Sequence, residues 1–129
     1  MNWPRAHWLT GTLALVSFLA AGVYMRYVAL VPQMEAAPRM VFRSRFLFLL
    51  LAAVANIALA GVPRPSVLQR AASCLILAAP FPLIVSFFID AGRGVESSPF
   101  TVWTMRGLFA AALLLAIANR PRSVRLPLD

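Results

Sequence analysis

Lysine is absent from this 129-residue chain, histidine and cysteine occur once each, and Glu35, Asp90, Glu96 and Asp129 are the four acids. A single histidine excludes bis-histidine haem ligation and histidine-rich metal sites. With His7 alone at the N-terminal edge, no Ser/His/Asp or Cys/His set can be assembled. Cys74 has no partner for an intramolecular disulfide or a Cys-x-x-Cys redox centre, and reads as a small apolar side chain. No glycine-rich phosphate loop precedes a basic residue in Walker spacing. Neither a cofactor nor a catalytic residue is expected. Charged residues are also scarce, at 12% of the chain against roughly 25% in an average soluble protein. That scarcity excludes a disordered protein and an ordinary cytosolic domain.

Apolar residues fill the space, at 61% of the chain. They gather in four nearly charge-free stretches, Leu9–Val31, Phe46–Val62, Ala71–Ile89 and Phe100–Ala118. Each is close to the ~20 residues a helix needs to cross the hydrocarbon core of a bilayer. The expected fold is all-α, with four transmembrane helices at about 8–31, 38–61, 66–91 and 99–119 in a single integral membrane domain. The first stretch is too long for a cleaved signal h-region and is expected to stay as a helix. Trp3, Trp8 and His7 would sit at one interface and Tyr24 and Tyr27 at the other.

Proline punctuates these helices. Pro32 is expected to stop helix 1, and Pro38 and Pro99 suit first turns, where a missing N–H costs nothing. Ser98 fits an N-cap. Pro80 and Pro82 lie inside helix 3 and are expected to kink it. In helix 4, Gly107 and Ala111 would allow close approach of a neighbour.

All 12 cations are arginines, and the formal charge is +8. A soluble protein this basic would suggest nucleic acid, but these arginines sit at the ends of apolar stretches, where they anchor helices and set topology. Nucleic acid is not an expected partner; the lipid bilayer is. Arg5, Arg64, Arg70, Arg120, Arg122 and Arg125 fall on the side of the termini. Arg39, Arg43, Arg45 and Arg93 fall on the other, with Arg26 and Arg106 just inside its helix ends. This small bias places both termini in the cytoplasm.

Two helix starts resemble each other. The run Glu35–Phe48 aligns without gaps on Glu96–Phe109, pairing Glu35 with Glu96, Pro38 with Pro99, Val41 with Val102, Arg45 with Arg106, Leu47 with Leu108 and Phe48 with Phe109. Such a repeat describes two tandem helical hairpins related by an axis along the membrane normal. Arg45 and Arg106 each follow their proline by two turns, roughly 10 Å into the helix, so equal depths are expected.

An ionisable residue within a membrane span is a functional-site hypothesis by default. Arg26, Arg43, Arg45 and Arg106, with Asp90 as counter-charge, form the candidate site. Guanidinium forks suit phosphate or carboxylate, so an anionic lipid headgroup or small anion is the ligand class. Snorkelling of the arginine stems is the structural alternative. Asn56 shares a helical stripe with Arg45, Leu49, Ala52 and Leu59, and a polar residue there argues for a protein-facing side.

The segment Pro38–Arg45 (P-R-M-V-F-R-S-R), leading into Phe46–Leu51, resembles a group of small four-helix bacterial inner-membrane proteins of no established activity. Those often carry a histidine where this chain has Phe46. The resemblance implies the four-helix layout and a bacterial inner membrane. A structural or accessory role is expected, with self-association or membership of a larger membrane complex. The alternative is a small transporter or channel, gated by the proline-kinked helix 3 past Asn56 and Asp90.

Overall fold

The computed structural model describes residues 2–62, 66–90 and 99–119. Those residues form α1 (Trp3–Tyr27), a 3-10 turn (Val31–Gln33), α2 (Ala36–Leu59), α3 (Val67–Ala78), α4 (Pro80–Val85), a π turn (Ser86–Asp90) and α5 (Pro99–Ala118). Because α3, α4 and the π turn run on from one another, they make a third span, Val67–Ile89. Four helices are therefore long and apolar enough to cross a membrane, and no strand occurs among the described residues. Arg64, Arg93, Glu96, the Ser98 cap, the tail arginines and the Asp90 side chain lie outside the described residues.

Local chemistry sets the boundaries. α1 begins five residues before the expected Trp8, because the Asn2 side chain accepts from the Arg5 N–H at 3.4 Å and Pro4 tolerates the first turn. It ends at Tyr27 rather than Val31: Leu30 adopts a left-handed conformation, φ 50° and ψ 38°, which no α-helix continues. α3 opens with a capping box, Ser66 and Gln69 each bonding the other's backbone N–H.

α1 pairs most extensively with α2, and α3 with α5, giving two hairpins. In the first, the buried residues His7, Gly11, Ala14 and Ala21, with half-buried Phe18, recur at spacings of four, three, four and three. Phe42, Arg45, Leu49, Ala52 and Asn56 on α2 answer with the same alternation. This 3.5-residue period is the seam of a knobs-into-holes pair, and its small residues let the backbones approach as membrane helices require. At Gly11 an added Cβ would stand 2.7 Å from Ile57 Cγ1 and 3.0 Å from the Ile57 backbone nitrogen. Gly107 is different. Nothing lies within 4 Å of its would-be Cβ, so only Ala111, fully buried, serves the packing expected of that pair.

Large apolar side chains such as Leu19, Val67, Trp103 and Phe109 are exposed, which is compatible with contact with a lipid bilayer. Arg5 and Ala60 line one cavity, and Gln69 Nε2 donates to Asn119 Oδ1 at 2.9 Å. One end of the bundle thus gathers the start of α1, the end of α2, the start of α3 and the end of α5. The other end carries Arg26, Arg43, Arg45 and Arg106.

Candidate functional site

Two buried polar levels cross the bundle, both organised by α2. At the first, Asn56 is fully buried. Its Nδ2 donates to the Ala52 carbonyl at 2.9 Å and to the Ile76 carbonyl at 2.8 Å. Ile76 is four residues before Pro80, which has no N–H, and the neighbouring Ala79 N–H already serves Leu75. Asn56 therefore supplies the donor that proline removed. With Nδ2 so committed, Asn56 Oδ1 must accept, and His7 Nδ1 donates to it at 2.9 Å. The ring is thereby held with its proton on Nδ1, and Nε2, buried, has no hydrogen-bond partner among the described residues.

His7 is 1% exposed, so its ring packs between helices. Trp3, 6.4 Å away between ring centroids, lies over it. Its neighbours Trp3 and Trp8 suggest an interface; the seam His7–Gly11–Ala14–Ala21 is the signal that turns it toward α2.

At the second level Arg45 is 2% exposed, and its Nη1 donates to the Ser86 carbonyl at 3.1 Å. Ser86 opens the π turn, where the regular α-helical pairing of the third span changes. The Ser86 hydroxyl meets the Thr101 hydroxyl of α5, so this level ties α2, the third span and α5 together. Beside it, Phe87 is fully buried and packs edge-on against Tyr24 and Phe42. Asn56 and Arg45 are eleven residues apart on α2, and their acceptors Ile76 and Ser86 are ten apart on the antiparallel third span. Both donors lie on one face, since eleven residues make just over three whole turns.

The four candidate arginines do not share one environment. Arg26, in the last turn of α1, and Arg43 of α2 come together, lining a cavity of about 230 Å³ with Met25, Pro32 and Phe46. Arg45 turns into the bundle. Arg106 is exposed, its guanidinium 5.3 Å from the centroid of the Trp103 ring. Asp90 ends the π turn. Of these groups, Arg26 and Arg43 are the pair open to a ligand: two exposed cations from different helices, above apolar walls.

No family model matches the sequence, and neither a curated protein nor a solved structure is similar to it. Among the described residues no group of three or more His, Cys, Asp or Glu side chains could hold a metal ion.

Proposed function

We propose that the chain is a small multi-pass protein of the bacterial inner membrane, with both termini cytoplasmic and a structural or accessory role. It holds an anionic group, a lipid headgroup or a small anion, between Arg26 and Arg43. The observation that carries this reading is the shared cavity, which Arg26 and Arg43, from consecutive helices, line together with Met25 and Phe46. Guanidinium pairs grip phosphate oxygens by charge-assisted hydrogen bonds, and their planar forks match phosphate geometry. The side assignment rests on the arginine distribution, and the compartment on the resemblance carried by Pro38–Arg45.

Native mass spectrometry of the full chain in mild detergent tests the site. Arg26→Ala/Arg43→Ala should lose most co-purifying anionic lipid, at about fivefold per arginine for ~1 kcal/mol of net hydrogen bonding each. Unchanged lipid retention refutes it. A conducting path past Asn56 and Asp90 has less support, because both donor hydrogens of the buried Asn56 amide are held by carbonyls.

A further inference from the structure

A second cavity adjoins the first. It measures about 260 Å³ and is lined by Arg26, Tyr27, Leu30, Pro32 and Gln33. Arg26 and Pro32 line both cavities, so they form the ridge between them. The left-handed turn at Leu30 folds the chain back to put Pro32 there, between the end of α1 and the start of α2. The Arg26 guanidinium lies 5.8 Å from the Tyr27 ring centroid, a cation–π distance that holds it on the ridge. On one side of it stands a second cation, Arg43. On the other are Tyr27 and Gln33, whose side chains carry neutral donors.

We propose that this double site takes a lipid headgroup with two phosphodiesters joined by a short polyol, the diphosphatidylglycerol class. One phosphate lies between Arg26 and Arg43, and the second lies on the far side of Arg26, beside Tyr27 and Gln33. The charges match, two cations for two phosphodiester anions, with no acid among the described residues that line either cavity. The inference rests on the Arg26–Arg43 reading and adds the number of phosphates to it.

The full chain, reconstituted in phosphatidylcholine vesicles doped with phosphatidylglycerol and diphosphatidylglycerol at equal total phosphate, is extracted for native mass spectrometry. Diphosphatidylglycerol should be retained about fivefold over phosphatidylglycerol, as the Tyr27 and Gln33 contacts to the second phosphate, offset by the cost of ordering it, imply. Tyr27→Phe/Gln33→Ala, at exposed positions, should bring the two lipids to parity without loss of phosphatidylglycerol. Equal retention by the unmodified chain, or a preference that survives this double variant, overturns the two-phosphate assignment and leaves the Arg26–Arg43 reading standing. Retention of neither lipid overturns both. Displacement of lipid by millimolar inorganic phosphate, with phosphate adducts in its place, makes the free anion the ligand and also overturns the assignment.

Discussion

The starts of α2 and α5 share a sequence pattern and differ in what they do with it. Arg45 and Arg106 occupy the same place in the aligned runs, three residues after Phe42 and Trp103 respectively. Phe42 and Arg45 are each 2% exposed, whereas Trp103 is 68% exposed and Arg106 lies against it. The buried positions of α5, Thr104 and Ala111, align with Arg43 and Leu50 rather than with Phe42 and Leu49. α5 is thus turned by one residue, about 100°, relative to α2. Matching local sequence does not fix an arginine's surroundings; the helix's rotation against its neighbours decides whether that arginine meets protein or the outside.

The largest test of this contrast is to truncate both arginines. Arg45→Met should destabilise the bundle by about 3 kcal/mol, since it empties a filled site and leaves the Ser86 carbonyl short of a donor. Arg106→Met should stay within about 0.5 kcal/mol, as exposed substitutions do. Equilibrium unfolding in mixed micelles reads both, and equal costs would erase the distinction. Next comes Asn56→Leu, expected to cost about 2 kcal/mol by orphaning His7 Nδ1 and the Ile76 carbonyl. Restoring an N–H at the break with Pro80→Ala in the Asn56→Leu background should recover part of that loss in the same assay. The smallest effects belong to two glycines. Gly11→Ala should cost about 1 kcal/mol or more through its clash with Ile57. Gly107→Ala, facing open space, should gain about 0.5 kcal/mol from helix propensity.

Hydropathy made the four spans legible, because chains with so little charge over so many residues have few other folds. The Asn56 stripe was legible too: one amide among Leu49, Ala52 and Leu59 has a reason to face a neighbour. What escaped was tertiary. Pro80 marks where a carbonyl loses its donor, but not that the replacement comes from a residue 24 positions earlier. His7 reads as interfacial from its adjacent tryptophans, and only its i, i+4, i+7 relation to Gly11 and Ala14 marks it as facing a helix. The left-handed turn at Leu30 has no sequence marker, since glycine or asparagine is the usual residue there. The candidate arginines separate for the same reason as the aligned pair: helix rotation is set by partners, and partners are not written in any single segment.

The bond from Asn56 to Ile76 also bears on how the third span is completed. A carbonyl without a donor costs several kcal/mol in hydrocarbon, so the proline-broken span is a poor candidate to enter the bilayer by itself. Its missing donor is carried by α2, which precedes it in the chain. The backbone of the third span is accordingly complete only when that span is seated against the first hairpin.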